Sequence, residues 1–201
     1  MTSKFAETSI EIDRLITERW SPRAFDPEHA IEDDKITALI EAAHWAPSCF
    51  NEQPWRYVLC NKHSDVVVWQ LAISCLTPKN QLWAKDAPLL IMACAHEAFS
   101  YNGKSNRWAQ YDTGAASENI CLQATSMELF AHQMGGFDAE RAREVFKIPQ
   151  QITPMAMIAV GYYGDIGKLH ADFIVSEKAD RERKPIEKNF FRGDFETPYI
   201  F

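Results

Sequence analysis

Four short stretches of this 201-residue chain concentrate side chains that could do chemistry. The first is "RWSPR", in which Arg19 and Arg23 flank Ser21 on a turn that Pro22 removes from any helix. Forked guanidinium donors beside a hydroxyl suit phosphate oxygens, although on five residues alone a solvated turn is the simpler reading. The second is "APSCFNEQPWR". Ser48, Asn51 and Gln53 supply donors and acceptors there, while Pro47 and Pro54 stiffen the loop and reduce the entropy lost on binding a ligand. It equally fits a loop that satisfies its own backbone with Asx-type turns. Cys49 lies inside it and would be a nucleophile if the fold supplied a base or cation, but a lone cysteine is more often a small packing residue. The third is "QMGGF", in which Gly135 and Gly136 expose backbone N–H groups and let a ligand approach the chain closely. The fourth is "RERKP", where Arg181, Arg183 and Lys184 make a positive spot that serves either as wet surface or as the second wall of a phosphate pocket.

Other chemistries have no template here. "GYYGDIGK" is neither GxGxxG nor a phosphate-binding P-loop, and neither HExxH nor GxSxG occurs. Five cysteines without a close pair or Cys/His ligand spacing speak against a disulfide framework and a zinc site. The formal charge of −7 argues against nucleic acid and anionic membranes as partners. No apolar run reaches spanning length and the first residues lack a secretory layout, so a reducing, cytoplasmic compartment is expected.

The length is that of one domain, 1–201, with an ordinary 24% of charged residues. Periodicity predicts a helix over residues 8–19, broken by "SPRAFDP", and a second from Asp33 or Asp34 that buries Ile36, Leu39, Ile40 and Ala43 and stops before Pro47. "WRYVLC" reads as a strand. A helix capped by Ser64 or Asp65 runs to about Leu76, and "NQLWAKDA" adds another. "LLIMACA" is continuously apolar, which implies a strand buried on both faces. The longest helix is predicted over 107–130, with the small-sided run "TGAAS" allowing close approach of another helix. A short helix capped by Asp138 follows "AHQMGGFD", then a strand "MAMIAVGYYG" after Pro154 and a charged loop over 177–188. Helices dominate without strict β-α alternation, so the expected class is α+β. The tail "NFFRGDFETPYIF" is too aromatic for a free end and is expected to dock on something.

Taken in order, these segments resemble the FMN-dependent nitroreductase family. "RWSPRAF" is similar to its R-x-S-x-R opening, and "APSCFNEQPWRYVL" to its A-P-S-S-x-N-x-Q-P-W segment, with Cys49 at the second serine. "NQLWAKDAPLLIMACA", "YDTGAASENICLQATSMEL", "HQMGGFD" and "RERKPIEK" resemble its asparagine-bearing helix, central helix, glycine turn and closing basic motif. The resemblance implies an α+β flavoprotein with a central mixed, mostly antiparallel sheet flanked by helices. It implies an intertwined homodimer in which the arm 190–201 crosses to the partner chain. By the same resemblance Arg19 and Ser21 hold the phosphate and ribityl chain of FMN, and Arg23 approaches the N1 and O2 edge of its ring. Pro47, Ser48, Cys49 (through its backbone) and Asn51 come from the other protomer. Asn80 bonds the pyrimidine edge, Trp83 packs where some members have lysine, and Gln133, Met134, Gly135 and Gly136 line the ring. Arg181 and Arg183 complete the phosphate site.

The implied activity is hydride transfer from NADH or NADPH through flavin N5 to a small electron acceptor such as a nitroaromatic or quinone, with no catalytic side chain and no metal. Alternatives on the same scaffold are dehalogenation or enone reduction. Further ones are a flavin-binding module without turnover and a hydrolase or transferase using Cys49.

Overall fold

The computed structural model describes residues 4–200. α1 is only Arg14–Glu18, opened by Asp13, whose carboxylate accepts the Leu15 N–H at 2.8 Å. Residues 8–12, predicted to belong to it, have no cap and no buried face; Ile10 and Ile12 lie exposed. α2 (Asp33–His44) buries Leu39 and Ala43, whereas Ile40 is exposed, contrary to the sequence expectation. β1 (Trp55–Asn61) is followed by α3 (Val66–Cys75), where Asp65 accepts the N–H groups of Val67 and Val68 at 3.0 Å, and by α4 (Pro78–Ala84), which starts on a proline suited to a first helical turn.

β2 (Leu89–His96) is buried along nearly its whole length, as its unbroken apolarity requires. α5 (Ala109–Ser126) is shorter than predicted. Glu128 turns the chain with φ +62°, Leu129 N–H returns to the Ala124 carbonyl at 2.9 Å, and Phe130 begins a strand. That strand, β3 (Phe130–Met134), replaces the end of the predicted helix and the start of the predicted glycine turn. α6 (Ala139–Phe146) is capped by Asp138, which accepts from Arg141 N–H at 2.9 Å. β4 (Ile152–Gly161) starts two residues before Pro154, which sits where a register shift relieves the ladder of its missing N–H. α7 (Ala171–Lys178), unpredicted, precedes the basic segment.

The strands order β1-β2-β4-β3, antiparallel at each pairing among the described residues. Alternate residues of β2 feed two cores. Leu89, Ile91 and Ala93 pack with α2 and α5, while Leu90, Met92 and Cys94 pack with α3, α4 and Phe173 of α7. Truncating a wholly buried residue such as Met92 to alanine is expected to cost about 2–5 kcal/mol. No helix among the described residues is long and apolar enough to cross a membrane.

Candidate functional site

The basic site is assembled from the two ends of the chain. Arg19 closes α1, and the chain then bends through Ser21 and Pro22 with its backbone anchored by other elements. Arg23 N–H is shared between both carboxylate oxygens of Glu177 at 3.0 Å, and Ala24 N–H donates to Glu177 Oε1 at 3.1 Å. The Pro22 carbonyl lies 2.8 Å from His132 Nδ1, which therefore carries the proton. From the far end, Arg181 Nη1 donates to the carbonyls of Lys4, at 3.0 Å, and Thr17.

These ties bring Arg19, Ser21, Arg23, Arg181 and Arg183 around one concavity of about 200 Å³. Lys4 joins them, and the only carboxylates among its lining residues are Glu177 and Asp180. Arg19 reaches Ser21 Oγ at 3.4 Å and forms a 3.4 Å ion pair with Glu118 of α5. Burial raises the Glu118 carboxyl, while the nearby Arg19 charge opposes that rise. Burial, followed by the charges of Arg19 and Arg183, lowers the Arg181 guanidinium. Crowded cations with few counter-charges form a site for an anion.

Arg23 links this concavity to a second group. Its guanidinium carbon lies 5.9 Å from the Trp83 ring centroid and 5.5 Å from that of Phe173. Trp83, wholly buried on α4, is 4.5 Å from the His132 ring and stacked on Phe25 at 6.1 Å. Packing is thus the role observed for Trp83. On the same helix Asn80 Nδ2 donates to the Gly136 carbonyl at 3.0 Å, and Thr77 N–H donates to it at 3.1 Å. A Cβ at Gly136 would come within 2.7 Å of Asn80 Nδ2, so a side chain there would have to displace the Asn80 amide; neither Gly135 nor Gly136 has a positive φ. Gln133 donates through Nε2 to Cys121 Sγ at 3.3 Å, and Met134 is buried in the core and paired with Met157 of β4. Asn80 and Gly136 are therefore in contact, while the Gln133 side chain turns to Cys121 of α5.

The loop over 46–54 stands apart, and none of its residues lines the basic concavity. Phe50, Asn51 and Gln53 have φ of 54°, 56° and 51°, a strained run held by local bonds. Ser48 Oγ accepts Gln53 N–H at 2.9 Å, the Ser48 carbonyl accepts Asn51 N–H at 3.0 Å, and Cys49 N–H donates to the buried Asp112 at 3.0 Å. Pro47 is exposed, and the Phe50 ring projects into solvent. All five cysteines are free. Burial pushes Cys60 and Cys121 up to about 12 and Cys94 up to about 11, which leaves those thiols poor nucleophiles.

Glu177 and His132 were not foreseen from sequence. The only signals were an acid in the last turn of a short, largely apolar helix and a histidine beside Gln133.

An antiparallel sheet between two helical layers, with a basic concavity and an asparagine fastened to a glycine turn, defines a class of fold and site. Residues 16–162 match the profile of the Nitroreductase family, so the chain belongs to that family. A solved structure described as that of "the oxidoreductase containing FMN" superposes with a TM-score of 0.89 at 32% identity, covering 97% of this chain and 98% of that one. An uncharacterized 15.4 kDa protein of Mycolicibacterium smegmatis is 32% identical over 61% of this chain and 82% of its own length. A putative NADH dehydrogenase/NAD(P)H nitroreductase of Methanothermobacter thermautotrophicus is 26% identical over 80% of this chain and 86% of its own.

Proposed function

We propose that this chain is an FMN-dependent oxidoreductase that uses NADH or NADPH to reduce a small electrophile, with its sites shared between the two chains of a homodimer. The single observation that carries this reading is the convergence of Arg19, Ser21, Arg23, Arg181 and Arg183 from opposite ends of the sequence on one concavity. The donor set fits FMN. Arginine forks and a serine hydroxyl suit a phosphate monoester, and a neighbouring amide with exposed glycine N–H groups suits the polar edge of a flavin. The names of relatives support the same chemistry: one structural neighbour is described as containing FMN, and several relatives are described as NAD(P)H nitroreductases.

The chemistry FMN supplies when bound is two-electron transfer, a hydride taken from NADH or NADPH and passed to an acceptor such as a nitroaromatic or quinone. Arg19, Arg181 and Arg183 would neutralise the phosphate, with Ser21 donating from the turn. Arg23, held against Trp83 and Phe173, would set a positive charge at the ring's N1 and O2 edge, where it favours a negative charge on the ring. Asn80 would present its amide to the pyrimidine edge, and Gln133 to Gly136 would line the ring. Pro47, Ser48, Cys49 and Asn51 would face the site of the partner chain. Support for that dimer comes from exposed apolar side chains on one chain: Ile40, Trp45 and Phe50 around the loop, Tyr111 on α5, and Phe190, Phe195 and Ile200 on the arm.

Residues 1–201 are taken as one domain, with 190–201 crossing to the partner, in a cytoplasmic protein. The test is anaerobic mixing of FMN-loaded protein with NADH and with NADPH, followed by nitroaromatic and quinone acceptors. Bleaching by either nicotinamide and recovery of colour with an acceptor is the expected result. Colour that neither nicotinamide bleaches would reduce the protein to a flavin carrier.

A further inference from the structure

Glu177 is a wholly buried carboxylate lining a concavity whose other charges are mostly positive. Such a group opposes an anionic ligand by its charge, so its place there calls for a separate explanation. No cation forms an ion pair with it among the described residues. Its oxygens instead accept the backbone N–H groups of Arg23 and Ala24 at 3.0 to 3.1 Å. The third contact is the Tyr163 phenol, which burial first, then the charge and hydrogen bond of Glu177, push up to about 12.

The carboxylate therefore joins the last turn of α7 to the turn bearing Arg19, Ser21 and Arg23. Arg181 and Arg183 follow four and six residues later on the same chain segment. Arg181 makes a second tie in the opposite direction, to the Thr17 carbonyl at the end of α1. Two crossed ties between the same two segments fix how far apart the two sets of arginines stand. His132 of β3 ties the same turn to the sheet through the Pro22 carbonyl.

We infer that Glu177 is a positioning residue for the phosphate end of the site: it holds the Arg19–Arg23 turn at the distance from Arg181 and Arg183 at which all can reach one phosphate. This rests on the FMN reading above. Positioning and charge predict opposite signs, which makes the inference testable. Glu177→Gln removes a negative charge from an anion site, so a purely electrostatic role gives tighter FMN binding. A positioning role gives weaker binding, because the amide places an NH₂ against the shared Arg23 N–H. Glu177→Asp keeps the charge but withdraws the carboxylate by one methylene, and it covers the case in which the glutamine variant folds poorly.

The experiment is titration of apoprotein by quenching of flavin fluorescence, with FMN and with riboflavin, which shares the ring and ribityl chain but lacks the phosphate. Both variants are expected to bind FMN about tenfold more weakly, the scale of one charge-assisted hydrogen bond, with riboflavin changed less than about threefold. Unchanged or tighter FMN binding by both variants overturns the inference, and so does an equal loss for both flavins, which marks a merely structural role. Unaltered protein that binds neither flavin overturns the FMN reading itself, and the positioning role with it.

Discussion

Asn80 Nδ2 donates to the carbonyl of Gly136 at 3.0 Å, fastening the first turn of α4 to the glycine turn that follows β3. A side chain on Gly136 would have to push that bond apart, since its Cβ would meet that nitrogen at 2.7 Å and Thr77 Oγ1 at 3.2 Å. Gly136→Ala is expected to displace the Asn80 amide, lower FMN affinity about tenfold, and destabilise the fold by about 1–3 kcal/mol through overpacking. Gly135→Ala, where a Cβ meets nothing within 4 Å, is the matched control and should leave the fold unaltered. Flavin titration together with thermal unfolding measures both effects.

Arg19 and Glu118 should act in opposite directions. Their 3.4 Å pair sets a carboxylate against a guanidinium assigned to phosphate. Arg19→Ala is expected to weaken FMN by about 10- to 100-fold, given roughly 1.5–3 kcal/mol for a charge-assisted bond. Glu118→Gln is expected to tighten FMN by a few fold and to do so less at high salt, because the pair is partly exposed and screened.

His132 makes stability depend on acid. Burial first, opposed by the Pro22 carbonyl and reinforced by the Arg23 charge, lowers its imidazole to about 4, against 6.5 for a free histidine. Between those values the unfolded chain binds a proton that the folded chain refuses, so stability falls as pH drops through that window. The loss attributable to this side chain is up to about 3 kcal/mol by pH 4. Urea unfolding midpoints of His132→Gln should show a shallower decline across the same range than those of the unaltered chain.

Removing residues 190–201 should weaken the proposed dimer. The arm turns on itself, with Arg192 N–H on the Thr197 carbonyl and Tyr199 N–H on the Phe190 carbonyl, both at 2.8 Å, yet leaves Phe195 87% exposed. That aromatic surface is what the proposed crossing to a partner chain would cover. Sedimentation of the truncated protein is expected to show dissociation at concentrations where the full chain stays dimeric; an unchanged dimer would remove the crossing-arm proposal.

Where one segment's own chemistry decides its structure, the sequence was sufficient. The unbroken apolarity of Leu89–Ala95 demanded a strand buried on both faces, and Asp138 and one of the two candidates Ser64 and Asp65, the aspartate, mark their helices by side chains that satisfy free N–H groups. The arginine turn and the basic segment were visible as motifs, but only folding brings them to one concavity. What sequence could not convey depends on partners. β3 has no β-branched residue and exists because β4 supplies its ladder, with Gln133 opposite Ile158. Glu177 looks like any helix-surface acid until the backbone of Arg23 arrives. Ile40 has the periodicity of a core residue but is uncovered on a single chain, as a residue facing a second copy would be.

The central claim is that the arginines gathered from both ends of the chain, with Asn80 and the glycine turn beyond them, hold FMN. The most direct measurement is the visible absorption spectrum of the purified protein after incubation with FMN and removal of free flavin. A retained flavin spectrum at stoichiometric occupancy, lost in the Arg19→Ala protein, is the predicted result; protein that stays colourless after the same treatment would contradict it.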